Sequence, residues 1–260
     1  MNATQFLKRK IRGFIARRNF LRKGAITYCA DNHILPNVFT RTPSAALREM
    51  LCLPSCEYTS QLNQDVFALL VNQFRPGFFL EIGANDGFTF SNTVFLERVF
   101  GWRGVLVEAN PKYKASLSLR KGALAVIRAV STQQGSASFA DAGLYGSLNA
   151  TTDGSHERHT DNAPTITVDC ATLQQILSDA DAPRRIDFLS IDVEGGEVAI
   201  IEQMIAVKNR FRCGCIEHNS RAKDYMLIKN LLIDAGYKLM WERQTEQDIF
   251  FVDTYDKKVS

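Results

Sequence analysis

From Leu62 to Val252 the apolar residues come in short runs, and the runs alternate between a helical and a strand period. Leu62, Val66, Leu69 and Leu70 repeat at helical spacing and predict a helix over 61–74, ended by Pro76-Gly77. Phe78 to Ile82 predicts a strand, followed by a glycine-rich turn and a helix from Ser91 to Phe100. A second strand is predicted over Gly104–Glu108, and Asn110-Pro111 supplies the cap and first turn of a helix. A third strand is predicted over Leu124–Val130, and 141–163, rich in Gly, Asp, Thr, Asn and Ser, reads as a loop. Further strands are predicted over Thr165–Val168, Ile186–Ile191 and Cys213–Glu217. Between and after them fall helices over Thr172–Leu177, from Gly195-Gly196 to about Val207, and over Tyr225–Ala235. Tyr237–Glu242 and Asp248–Val252 predict a terminal hairpin. Strand–helix alternation argues for a parallel sheet covered on both faces, and the hairpin would add one antiparallel edge strand.

Ahead of this pattern lies a different one. Leu7, Ile11, Phe14, Ile15 and Leu21 repeat at helical spacing, with Lys8, Arg9, Lys10, Arg12, Arg17, Arg18, Arg22 and Lys23 among and after them. A basic amphipathic helix of this kind fits a helix laid on its own domain or a partner, or peripheral contact of residues 1–23 with an anionic membrane surface. A mitochondrial presequence would be Ser-rich, and no serine precedes Ser44. Pro36, Pro43 and Pro54 interrupt the stretch that follows, so 1–60 reads as helix plus connecting segment and 61–256 as the functional domain.

The 260 residues suit one α/β domain with an extension, and 45% apolar with 23% charged residues is a globular balance. The net charge of +3 is too small to argue for nucleic acid, and without the N-terminal cluster the chain is slightly acidic. No apolar run approaches the ~20 residues of a membrane span. Cys29, Cys52, Cys56, Cys170, Cys213 and Cys215 show no paired spacing and read as reduced thiols in a cytoplasmic protein. Zinc at Cys52 and Cys56 lacks a second ligand pair, and His156 and His159, flanked by Asp153 and Asp161, read better as part of a loop over an acceptor than as metal ligands.

Three segments carry candidate chemistry. In the first, a strand delivers the chain into Glu81-Ile82-Gly83-Ala84-Asn85-Asp86-Gly87, where Gly83 and Gly87 let the backbone approach a ligand at the carboxyl end of the sheet. The spacing is G-x-x-x-G, not the G-x-G-x-x-G of dinucleotide sites, and the carboxylates of Glu81 and Asp86 would repel a pyrophosphate. A cofactor with a cationic amino-acid end suits them better. In the second, Glu108 ends the next strand about 25 residues beyond Gly83, where an acid accepts hydrogen bonds from ribose hydroxyls, with Ala109 and Asn110 behind it. In the third, Ile191-Asp192-Val193-Glu194-Gly195-Gly196-Glu197 and Ile216-Glu217-His218-Asn219 end neighbouring strands on one rim. Asp192, Glu194, Glu217 and His218 are the candidates for deprotonating a hydroxyl, and strand alternation forbids all of them from facing one pocket. A divalent metal held by these carboxylates is the other use of such a cluster, without specific support.

Together with Ser60-Gln61-Leu62-Asn63-Gln64-Asp65 and Ser91-Asn92-Thr93, these segments resemble, in order and spacing, the FkbM-type methyltransferases, over about 60–252. The resemblance implies a Rossmann-like class I methyltransferase fold, with a seven-stranded, mostly parallel sheet of order 3-2-1-4-5-7-6. It implies O-methylation with S-adenosylmethionine, often of sugar hydroxyls in polysaccharide or glycolipid assembly. On that basis Glu81 to Gly87 would hold the methionine end, Glu108 the ribose, and Ser131 would lie near the adenine. Asp192, Glu194 and His218 would orient and deprotonate the acceptor. Where the family's second motif usually reads Glu-Pro-Asn, this chain has Glu108-Ala109-Asn110. The rival readings are an NAD(P)-dependent oxidoreductase on a similar sheet and a non-catalytic glycan- or membrane-binding module.

Overall fold

The computed structural model describes residues 60–148, 162–218, 221–240 and 247–255. Helix α1 (Gln64–Val71) leads into β1 (Phe78–Ile82), α2 (Val94–Phe100) and β2 (Arg103–Glu108). A single 3-10 turn over Pro111–Tyr113 and the short α3 (Lys114–Leu117) precede β3 (Ala123–Ile127), β4 (Ala129–Val130), β5 (Gly135–Ala140) and β6 (Ser147–Leu148). Next come β7 (Thr165–Ala171), α4 (Leu173–Asp179), β8 (Arg185–Ile186), β9 (Phe188–Ile191) and α5 (Glu197–Ala206). The chain closes with β10 (Arg210–Phe211), β11 (Cys213–Glu217), α6 (Ala222–Asp234), β12 (Tyr237–Met240) and β13 (Asp248–Asp253).

The main sheet has seven strands in the order β12-β13-β11-β9-β1-β2-β3. Numbered within the sheet in chain order, that is 3-2-1-4-5-7-6. Pairing is parallel from β3 through β11, and β13 runs antiparallel to both β11 and β12. The antiparallel strand is therefore not the edge, as the hairpin reading had it; β13 is threaded between β11 and β12. No described helix is long and apolar enough to cross a membrane.

Alternation along these strands sorts their side chains between two cores. Phe79, Leu106, Phe188, Cys213, Cys215 and Phe250 point to the face covered by α1 and α2. Leu80, Val105, Leu189, Ile191, Ile216 and Phe251 point to the face covered by α4, α5 and α6. Helix α1 is buried along its whole length, and Phe67 meets Phe250 edge-on at 5.0 Å between ring centres. The free thiols Cys170, Cys213 and Cys215 are buried as small apolar groups.

Other expectations need correction. Helix α2 starts at Val94 rather than Ser91, because Ser91, Asn92 and Thr93 are committed to hydrogen bonds with Glu81. The third strand breaks at Arg128, and its second half, β4, joins a four-stranded sheet of order β4-β7-β5-β6. Strand β5 escaped the sequence pattern because Gly135-Ser136-Ala137-Ser138 has no apolar run to mark it. The amphipathic helix over 5–23, the connector as far as residue 59, Cys29, Cys52, Cys56, Asp153, His156, His159, Asp161 and Asn219 lie outside the described residues.

Candidate active site

At the end of β1 the chain turns off the sheet, and the Gly83 and Ala84 amides both donate to Val107 O, at 2.9 and 3.0 Å. Gly83 has φ +87°, and a Cβ there would lie 1.6 Å from Asp192 O. Glycine is thus demanded by the close crossing of two strand ends, before any ligand is considered. Asn85 follows at φ 50°, and its amide donates to Glu108 Oε2 at 2.7 Å. The other carboxylate oxygen of Glu108 accepts from the Asn110 amide at 2.7 Å. Glu108 therefore ties the first turn to the second. Burial pushes its carboxyl upward in pKa, and the Asn110 and Asn85 amides pull the other way.

The acids of the first turn play different parts. Glu81 is buried on the α1–α2 face, accepting from Ser91 Oγ, Thr93 Oγ1 and the Asn92 amide. Burial raises its pKa despite the nearby Arg120 guanidinium and those hydrogen bonds. Asp86 turns into its own loop, accepting from the amides of Phe88 and Thr89 and from Thr89 Oγ1. Those bonds outweigh burial and lower its pKa. Gly87, at φ +81°, packs against Leu117, and the Asn110 side chain accepts from the Lys112 amide.

Sequence reasoning missed Arg120. It is 2% exposed and donates to Glu97 Oε2, Gly87 O, Ser91 Oγ and Thr93 Oγ1. One guanidinium thereby pins the loop that carries the turn. An arginine beside Leu117 and Leu119 carries no local signal of burial.

Two clefts open at the carboxyl ends of the parallel strands. The first, about 250 Å³, is lined by Gly83, Asn85, Glu108, Ala109, Ser131, Asp192 and Glu194, with apolar walls including Val107, Val130 and Ile200. The second, about 220 Å³, is lined by Glu81, Ala84, Asn92, Glu217, Gln61 and Gln247, and by the 48%-exposed ring of Phe90. Gly83, Asn85, Leu144, Asp192 and Glu194 border both, so the clefts adjoin there. Asp86, Gly87, Asn110 and His218 line neither.

Alternation explains the last of these. Phe188, Ser190 and Asp192 follow one face, as do Cys213, Cys215 and Glu217, and Asp248 with Phe250. Glu217 thus reaches the second cleft, whereas His218 packs edge-on against Tyr225 at 5.3 Å between ring centres. Burial, with Arg221 nearby, lowers the His218 pKa and keeps the ring neutral. Neither ring nitrogen has a hydrogen-bond partner among the described residues.

On the α1 face the carboxyls crowd. Asp192 and Glu217 end the neighbouring strands β9 and β11 and line the same cleft, and Asp192 Oδ1 is buried without a partner among the described residues. Burial, then the charges of Glu217, Glu197 and Glu81, drive the Asp192 carboxyl well above the ordinary range. Glu217 is pushed up to about 7, by burial and the charges of Asp248, Glu194 and Glu197, with the neighbouring Asp192 pulling the other way. Asp248, opposite Glu217 across the β11–β13 ladder, is also pushed up to about 7 by burial, although Gln64 Nε2 donates to it at 2.9 Å. No group of three or more His, Cys, Asp or Glu suited to a metal ion occurs among the described residues.

The sheet order and the paired clefts at its carboxyl edge define a class I, Rossmann-like methyltransferase fold. The family model described as the methyltransferase FkbM domain matches residues 81–239, and the chain belongs to that family of S-adenosylmethionine-dependent methyltransferases. No curated protein sequence matches the chain significantly. Among solved structures, the N-terminal domain of human METTL16 in complex with SAH shares 14% identity, covering 85% of this chain and 83% of that one, with a TM-score of 0.41. Precorrin-6y C5,15-methyltransferase from Geobacter metallireducens shares 12% identity, covering 75% and 92%, with a TM-score of 0.43. The Methanococcus jannaschii fibrillarin pre-rRNA processing protein shares 13%, with a TM-score of 0.40; the match covers 69% of this chain and 66% of that one, just under two thirds.

Proposed function

We propose that the protein transfers a methyl group from S-adenosylmethionine to a hydroxyl of a sugar in a polysaccharide or glycolipid. The observation that carries this is the meeting of two unlike clefts at Gly83 and Asp192. The first suits a nucleoside: apolar walls at Val107, Val130 and Ile200 would take the adenine, with Ser131 at their edge. Each Glu108 oxygen spends one acceptor site on an amide and keeps another for a ribose hydroxyl. Gly83 and Asn85, bordering both clefts, would hold the methionine end. When bound, the donor supplies a methyl carbon that leaves with its bonding electrons retained on sulfur.

The second cleft suits an uncharged hydroxylic acceptor. Its carboxylates accept from hydroxyls, Gln61, Asn92 and Gln247 both donate and accept, and Phe90 offers a ring face to the apolar side of a sugar. Among the described residues it has no lysine or arginine to attract an acidic sugar. The chain's part is to hold the acceptor oxygen against the donor, exclude water and receive the hydroxyl proton. Isothermal titration with S-adenosylmethionine and S-adenosylhomocysteine is the test. Binding of both is expected, followed by transfer of labelled methyl to the glycan fraction of the source cells. Failure of both to bind, with NAD binding instead, would overturn the reading.

A further inference from the structure

The row of acids on the α1 face does more than line a pocket. Its members come from four strands of the sheet: Glu81 from β1, Asp192 from the end of β9, Glu217 from β11 and Asp248 from β13. Glu194 and Glu197 approach from the turn into α5. The Arg221 guanidinium near this cluster is turned to Glu197, at 3.2 Å, and Asp224, at 3.0 Å. Arg120 faces Glu81 but is held by Glu97 and the α2 loop. Between Asp192, Glu217 and Asp248 lies a crevice of about 10 Å³, room for one water, lined also by Gln64 and Ser190. Behind the pair, Gln64 is fixed at both ends: Oε1 accepts from the Leu62 amide at 2.8 Å while Nε2 donates to Asp248.

Resting on the methyl-transfer reading, we propose that Glu217 is the general base for the acceptor hydroxyl, that Asp192 is the partner sharing a proton with it, and that Asp248, held by Gln64, is a positioning residue that keeps this proton in the pair. Three observations meet here. Glu217 and Asp192 end neighbouring strands and both line the acceptor cleft. Two carboxyls crowded in one site do not both ionise readily, so the pair holds one proton. Asp192 Oδ1 is buried without a partner at the joint of the two clefts. The raised proton affinity of Glu217 agrees with a base that works near neutrality. In the step itself the acceptor O–H bond breaks, its proton passes to a Glu217 oxygen, and Glu217 changes from carboxylate to carboxyl. The proton returns to solvent once the cleft opens. Gln64 and Asp248 lie outside the stretch 81–239 that matches the family, so this tuning belongs to elements flanking it.

The test uses the full chain with ¹³C-labelled Asp and Glu carboxyls, titrated by NMR without acceptor, beside calorimetry with S-adenosylhomocysteine. The Asp192–Glu217 pair of the parent, separated from Asp248 by comparison with Asp248→Asn, is expected to show two linked carboxyl transitions, one near pH 7. Glu217→Gln should abolish that linkage, and Asp248→Asn should move the transition at least about one pH step downward. Binding of S-adenosylhomocysteine should stay within about threefold in both variants. With labelled S-adenosylmethionine and source-cell glycan, Glu217→Gln should lose at least about 100-fold in turnover at pH 7. Glu217→Asp should recover part of it, and Asp248→Asn should shift the pH profile rather than KM. Independent, ordinary transitions for Asp192 and Glu217, or an unchanged pH profile in Glu217→Gln, would overturn the proposal. Loss of S-adenosylhomocysteine binding in the parent would instead overturn the methyl-transfer reading. If Glu217→Gln fails to fold by thermal melt, Glu217→Asp and the parent titration decide.

Discussion

Glu108 and Glu217 end strands of one sheet, both sit in mostly buried positions, and each faces a cleft, yet they are wired oppositely. Glu108 meets backbone amides on both oxygens, at 2.7 Å each. Glu217 meets another carboxyl, with further acids behind it. The same residue type in the same fold position therefore serves two ends. Amides preorganise a carboxylate as a fixed acceptor, whereas a carboxyl partner makes it a site where a proton is gained and lost. The difference lies in which atoms the neighbours present: turn amides to Glu108, strand-end carboxyls to Glu217.

The largest expected effect breaks the joint between the two regions. Gly83→Ala would set a methyl 1.6 Å from Asp192 O at φ +87°. Relief requires parting the ends of β1 and β9, and a loss of more than about 3 kcal/mol is expected in urea unfolding. A change under about 1 kcal/mol would mean the two strand ends yield easily.

Next in size is the dependence of stability on pH. Asp248, at about 7 when folded against an ordinary 3.8, binds a proton in the native state that the unfolded chain has lost. Glu217, at about 7, and Asp192, raised well above its usual value, act in the same direction. Stability from these groups is present below about pH 4 and falls as pH rises toward 7. His218, its pKa lowered, opposes this with stability that is lost as pH falls below 6.5. The carboxyls outnumber it. A melting temperature at least about 5 °C higher at pH 5 than at pH 8 is expected. Asp248→Asn should flatten the slope, while a Glu108 variant, changing a carboxyl satisfied by amides, should alter it less.

Smaller again is the cost of disturbing the amide-held acid. In Glu108→Gln one side-chain amide must face the Asn85 or Asn110 N–H, leaving a donor unpaired at about 1–3 kcal/mol. Calorimetry should show S-adenosylhomocysteine binding weakened roughly tenfold to a hundredfold. Glu217→Gln, by contrast, should leave that affinity nearly unchanged. Equal losses in both would erase the distinction between the clefts.

Much of this was legible along the chain, for identifiable reasons. Apolar runs with clear periods marked the strands of the main sheet and the helices, because burial on both faces leaves parallel strands few polar residues. What escaped depends on partners distant in sequence. Strand β5 is held by β7 through residues with no apolar signal of their own. Asp86 looked like a ligand-facing charge, but its oxygens cap amides within its own loop. Gly83 looked like a concession to a ligand and proves also to be a concession to Asp192. The pairing of Glu217 with Asp248 required knowing that β13 lies beside β11, which no local pattern of Asp248–Val252 states.

The smallest effect bears on the residue that alternation separates from Glu217 by one position. His218 is an attractive base by residue type, and its ring is kept neutral, as a base should be. Yet a strand places successive side chains on opposite faces, and with Glu217 in the cleft His218 must turn toward Tyr225 and α6. His218→Phe replaces one aromatic ring with another against Tyr225 and removes two ring nitrogens without described partners. Methyl transfer in that variant should stay within about threefold of the parent, since a general base contributes at least about 100-fold. A loss on the hundredfold scale, with S-adenosylhomocysteine binding intact, would return the base to His218 and leave the carboxyl pair a structural role.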